Sequence, residues 1–236
     1  LEGAGGRRRG SGNERGTERG VVPLRFRRSS QTDPMPIRRK RVLTDIARLS
    51  STVCNPFLTA FALLVLMTHE IAPTTTAFWL LLFSSTFFTS IGPMFFVLKM
   101  YLDGRITDLD MSIRSEREAV FGTFVIFYIL GTITMALIHA PTILIATMAG
   151  YTTSALVVQV ITRSWKISTH AVGITASIVV LLFLYKLQPL PFVVLIPLVG
   201  WSRIYLKAHT FLQVLAGTAL GVVSVLLFFY LFHIIT

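Results

Sequence analysis

Seven apolar runs divided by short polar breaks constrain this 236-residue chain more than any other feature. They cover approximately residues 53–67, 77–102, 119–138, 142–161, 171–187, 189–206 and 209–235. A helix rises about 1.5 Å per residue, so about 20 residues cross a hydrocarbon layer of about 30 Å. Hydrophobic residues make up 53% of the chain and charged residues only 14%, too few to cover a water-soluble surface. The expected fold is all-α: a polytopic membrane bundle of about seven transmembrane helices over residues 53–236. Gly92-Pro93, inside the second run, predicts a kink. The polar stretch 103–118 carries Ile106, Leu109 and Ile113 at helical spacing and reads as a short interfacial helix that folds over one end of the bundle.

Charge is concentrated at the N-terminus. Residues 1–52 hold thirteen Arg and Lys against five acids, and the remainder holds nine against six. Residues 1–34 are Gly- and Arg-rich with little apolar content, which predicts disorder. Such composition is compatible with nucleic-acid binding, and Glu2, Glu14 and Glu18 fit a transit peptide poorly. The preferred reading is an unstructured tail or an over-long gene model with the chain proper starting near Met35, and no nucleic-acid partner is expected. Residues 35–52 form a basic cytoplasmic segment containing Arg38, Arg39, Lys40 and Arg41. The loops after the second, fourth and sixth runs hold Arg105, Arg114, Arg117, Arg163, Lys166, Arg203 and Lys207, whereas the opposite side has Lys186 alone. Basic loops stay in the cytoplasm, so the N-terminus and these three loops are expected there. Cys54 is the only cysteine, which excludes an intrachain disulfide and a thiolate metal cluster.

Chemistry-bearing residues gather in the same loops. Of five histidines, His69, His139 and His233 fall at the far end, and only His170 and His209 share a side with the cations. Gln213 follows His209 by four, so on one helix face its amide can hold the imidazole. Gly217 and Gly221 continue that face and allow close helix approach. Cations at the ends of membrane helices commonly serve only as interfacial anchors. The spacing here goes further.

Ser202-Arg203, five residues, His209, three residues and Gln213 resembles the third motif, S-R-x5-H-x3-D, of the type 2 phosphatidic acid phosphatase and vanadium haloperoxidase superfamily, with Gln in place of Asp. Lys166-Ile167-Ser168-Thr169-His170 is similar to its P-S-G-H motif. The first motif, K-x6-R-P, is degenerate: Arg114 and Arg117 offer the arginine, and the Lys position falls on Asp110. The resemblance spans roughly residues 102–235 and implies a six-helix phosphatase-like core. It implies that His209 attacks phosphorus, that His170 serves as acid and base, and that Gln213 orients His209. Arg203, Lys166, Ser168, Arg117 and Arg114 would hold the phosphoryl oxygens. No metal or cofactor is implied. The partners implied are membrane lipids and an amphiphilic phosphate: phosphatidic acid, a prenyl or polyprenyl diphosphate, or a lysolipid phosphate. A bundle that binds such a lipid without turnover, and a small-solute transporter, are the alternatives; few buried charges mark a transport path.

Overall fold

A computed structural model describes residues 37–109 and 113–235, apart from the side chains at positions 37, 38 and 114. The tail expected over residues 1–34, Asp110 and the side chain of Arg114 therefore lie outside the described residues.

The described residues form helices α1 (Ile37–Val53), α2 (Pro56–Ile71), α3 (Thr75–Thr86), α4 (Gly92–Leu102), α5 (Arg114–Leu137), α6 (Thr142–Thr162), α7 (Thr169–Tyr185), α8 (Leu195–Tyr205) and α9 (Phe211–Leu231), with no strand among them. Four spans are long and apolar enough to cross a membrane: 75–102, 115–137, 142–162 and 211–231. A fifth arises if the pair formed by α1 and α2, bent by 50°, counts as one. Thr169–Tyr185 and Leu190–Tyr205 are apolar but shorter, so the expected seven full-length spans are not reached.

Local chemistry explains the breaks. Asn55 caps α2 by accepting the Phe57 N–H at 2.9 Å, and Pro56 opens the helix at a position where its missing N–H costs nothing. The first apolar run is thus the end of one helix and most of another. Near Gly92-Pro93 the expected kink takes the form of a π-helical turn, Phe87–Ile91, which joins α3 to α4. At the helix exits, His139 and His233 adopt positive φ of 53°, a turn-reversing conformation usually left to glycine.

Of the interfacial helix expected over 103–118, the described residues 103–109 form none, and residues 114–118 are the start of α5. Gly104, at φ 70°, turns the chain out of α4, and residues 103–109 are turns and bends. The carboxylate of Glu116 accepts from both the Thr107 N–H at 3.1 Å and its hydroxyl at 3.2 Å, which ties this loop to the first turn of α5. Ile106 is buried in the core, and Arg117 belongs to α5 itself.

Helix α5 packs antiparallel to α6, α7 runs parallel to α9 with both N-termini at one end, α2 lies on α7 and α1 on α8. Three apolar clusters result, the smallest around Cys54, Ile174, Ile178 and Val199. Of the larger two, one joins Met67, Met135, Leu144, Val180 and Phe229 at the end where α5 finishes and α6 begins. The other joins Val97, Ile106, Val120, Phe121, Phe124, Val158 and Ile167 at the opposite end, directly beneath the motif loops.

Candidate active site

Three helix termini build the site. Ser168 caps α7, its hydroxyl accepting the Ala171 N–H at 3.3 Å, and so places His170 in the first turn. Arg203 stands in the last turn of α8 and is 3% exposed. Beyond it Lys207 takes a positive φ of 57°, and the chain doubles back. The N–H groups of Ala208 and His209 then both donate to the Arg203 carbonyl, at 3.0 and 3.2 Å. That reversal brings the imidazole of His209 over the turn that carries the arginine.

His209 is not on the helix with Gln213, as the four-residue spacing suggested. Thr210 is the N-cap of α9, so His209 precedes the helix, and Gln213 reaches back through a capping box. The Gln213 Oε1 lies 3.1 Å from the Thr210 N–H and 3.2 Å from His209 Nδ1. Because the backbone N–H can only donate, the atom facing it must be the amide oxygen, and that same oxygen accepts from a protonated Nδ1. The lone pair is left on Nε2. Nε2 is buried and has no hydrogen-bond partner among the described residues.

The surroundings of His209 are positive. In its turn between α8 and α9 the imidazole is only 6% exposed, and its pKa is pushed down to about 4. Burial is the largest cause, followed by the charges of Arg117 and Arg203; the Gln213 hydrogen bond opposes them, and Lys166 adds a smaller downward push. Arg117, 5% exposed, projects from the first turn of α5 with its guanidinium 5.9 Å from the centroid of the Phe121 ring. His170 is likewise buried, lies within reach of the charges of Arg203, His209 and Arg117, and turns its ring to the backbone of Ser51. Lys166 is half-buried in the loop before α7, and Ser168 is fully buried. The structure thus brings together His170, His209, Gln213, Arg203, Arg117, Lys166 and Ser168; the side chain of Arg114 lies outside the described residues.

Two glycines hold the loops in register. A Cβ at Gly217 would lie 2.5 Å from the Ser168 carbonyl oxygen, and one at Gly221 2.7 Å from that of Val172. The close approach of α9 lets the Ser168 N–H donate to the Gln213 carbonyl at 3.2 Å, which stitches the two motif loops together.

Sequence reasoning missed Ser51. It lies near the end of α1, is buried, and accepts a 2.6 Å hydrogen bond from Arg203 Nη1. The one signal available was that Ala47 and Ser51 are small residues four apart, a spacing that favours close helix contact. The basic segment is therefore a helix that braces the site as well as a charged leader.

A cavity extends from Arg117, His170 and Arg203 into the bundle, bounded by α2, α5, α6 and α7. Its deeper walls are aromatic and apolar, among them Phe57, Phe121, Phe124, Tyr128 and Tyr151. His209 does not line it. No group of three or more His, Cys, Asp or Glu poised for a metal occurs among the described residues.

Fold and site together define an all-helical protein with four or five candidate membrane spans and two histidines set among arginines at one end of the bundle. Residues 141–236 match the family model described as the PAP2 superfamily. The match spans α6 to the C-terminus and includes both motif loops, and over those residues it bears out the resemblance drawn from them. Arg117 and Ser51 lie outside it. No curated protein and no solved structure matches the chain.

Proposed function

We propose that the protein is an integral-membrane phosphatase that hydrolyses a phosphate monoester or diphosphate of an amphiphilic lipid, with no metal required, through a phosphohistidine at His209. The family match supports phosphatase chemistry at the family level. The observation that carries the finer reading is the state of His209: Nδ1 is held by the Gln213 carbonyl, and Nε2 keeps an unpartnered lone pair.

In this scheme His170 takes up a proton when the anionic substrate binds, Nε2 of His209 forms a bond to phosphorus as the bond to the lipid oxygen breaks, and His170 gives its proton to that oxygen. Water, deprotonated by His170, then attacks phosphorus, the P–N bond breaks, and inorganic phosphate leaves with His209 restored. The equatorial oxygens gain charge in both steps, and Arg117, Arg203 and Lys166 supply the fixed positive field that stabilises it. The N-termini of α7 and α9 add backbone dipoles of the same sign. His209 does not line the cavity, so productive binding requires the phosphate to move past His170 and the arginines toward Nε2. The site is assigned to the cytoplasmic face on the bias of the basic loops.

The test is phosphate release by purified wild-type protein and by His209→Ala, in the presence of a chelator, against a panel of lipid phosphates. Acid-labile phosphate trapped on the wild type and absent from the variant is the expected result. Release unchanged in His209→Ala removes His209 as the nucleophile. Lipid binding with no release by either protein favours the binding-only alternative.

A further inference from the structure

The shape of the cavity points to what the phosphate is attached to, an inference that rests on the phosphatase reading. Along α5, Arg117, Phe121, Phe124 and Tyr128 step inward from the charged mouth at intervals of four, three and four residues. At about 1.5 Å per residue the distance from Arg117 to Tyr128 is about 16 Å. One leaflet of hydrocarbon, half of about 30 Å, has nearly that depth. On the antiparallel α6, Val158, Ser154 and Tyr151 descend the facing wall in the same sense.

The floor is closed and tethered. The rings of Tyr128 and Tyr151 lie 6.2 Å apart between centroids. The Tyr128 hydroxyl donates to the Thr89 carbonyl at 3.4 Å, and that of Tyr151 lies 3.5 Å from the Ser177 hydroxyl. Both phenols spend their polar atoms on neighbouring helices and line the cavity.

Ring contacts and one tight seam bound the walls. Phe57 of α2 meets Phe124 of α5 edge-on at 5.5 Å, and Phe124 continues to Phe121 at 5.7 Å and Tyr128 at 6.5 Å. The seam between α2 and α7 is shut at Gly173, where an added Cβ would sit 3.2 Å from the Pro56 Cα.

We propose that this cavity accepts one hydrocarbon chain bearing a terminal phosphate or diphosphate, of alkyl or prenyl type, and that Tyr128 and Tyr151 set the longest chain it holds. Double-chained phosphatidic acid is discriminated against. The cations at the mouth take the headgroup, and the aromatic column takes the tail.

The test uses the full chain in lipid nanodiscs, with a graded series of single-chain alkyl phosphonates, which cannot be hydrolysed, and the matching alkyl monophosphates. Phosphonate affinity should rise about three- to fourfold per added methylene until the chain reaches the tyrosines, and then level off. Tyr128→Ala and Tyr151→Ala should move that break to longer chains. Ala155→Phe, which fills the cavity wall, should move it to shorter ones, and Tyr128→Phe, which keeps the ring, should leave it in place. A break common to wild type and all variants, or dioleoyl phosphatidic acid bound as tightly as its single-chain counterpart, overturns the inference. Length-dependent phosphonate binding without phosphate release from any monophosphate supports the cavity assignment and removes the phosphatase reading instead. Release with no length dependence in binding does the reverse.

Discussion

Arg203 and Ser51, 152 positions apart in the chain, are joined by a 2.6 Å hydrogen bond between buried groups. The guanidinium of the third motif is thereby aimed by α1, a helix outside both motif loops. Serine is small enough to let α1 and α8 pack closely and polar enough to satisfy one donor of a buried cation.

Ser51→Ala should therefore remove one anchor of Arg203 while keeping its charge. A hydrogen bond to a charged group contributes about 1.5–3 kcal/mol, so the variant should lose about that much stability. In kinetics, KM for a lipid phosphate should rise about tenfold or more, with kcat less affected. Equal KM in wild type and variant would show that Ser51 only fills space.

The low pKa of His209 sets an acid limit. In the folded protein the imidazole stays neutral down to about pH 4, whereas in the unfolded chain it protonates near the ordinary value of 6.5. Between those values the unfolded state binds the extra proton, so stability falls as pH drops through that window and this contribution is fully lost below about 4. The acid limb of kcat/KM should accordingly lie well below 6.5, because Nε2 keeps its lone pair there.

Gln213→Asp tests the same point from the other side. A carboxylate beside Nδ1 favours the charged imidazole, so the acid limb should move up toward neutrality. The rate near pH 7.5 should be kept or raised, since the carboxylate also stabilises the imidazolium-like charge that develops as Nε2 attacks; a carboxamide replacing the carboxylate in an analogous triad costs about 10⁴-fold. An unmoved pH profile would mean that position 213 acts only as a helix cap.

Gly217→Ala should break the contact between the motif loops. Its Cβ would fall 2.5 Å from the Ser168 carbonyl, a backbone atom that cannot rotate away. Overpacking of this kind costs about 1–3 kcal/mol and should displace Ser168, His170 and Gln213 together, with loss of activity. Gly122→Ala is the contrast: its nearest neighbour would be the Gln159 amide nitrogen at 3.8 Å, so alanine should stabilise α5 by up to about 1 kcal/mol. Thermal unfolding of the two variants compares them directly.

The cytoplasmic placement proposed from the basic loops is checked by labelling. Arg105→Cys places an accessible thiol in the exposed part of the 103–109 loop, while the native Cys54 is buried. An impermeant maleimide should reach position 105 only after the cells are opened. Labelling of intact cells would turn the site to the outer face.

Much of this organisation is visible in the linear chain because it rests on local chemistry. The apolar runs define the helices, since a backbone in hydrocarbon must satisfy its own hydrogen bonds. The caps at Asn55, Ser168 and Thr210 are ordinary helix starters. The alternation of spans puts His170, His209 and the cations at one end whatever the details of packing. Where local patterning misled, a competing local interaction had won. The 103–118 stretch has helical periodicity, but Gly104 and the Thr107–Glu116 hydrogen bonds hold its first part in a turn.

Tertiary structure decided what depends on contacts between distant segments. That α1 braces Arg203 through Ser51, that Gly217 admits the Ser168 carbonyl, and that two tyrosines from different helices close one cavity are all matters of three-dimensional proximity. No periodicity encodes them, because each residue alone is compatible with many neighbours. Even the pairing of His209 with Gln213, legible as a spacing of four, owes its geometry to a chain reversal at Lys207 and a capping box. The sequence determined which groups could meet at the end of the bundle; only packing determined which nitrogen of His209 was left with a free lone pair.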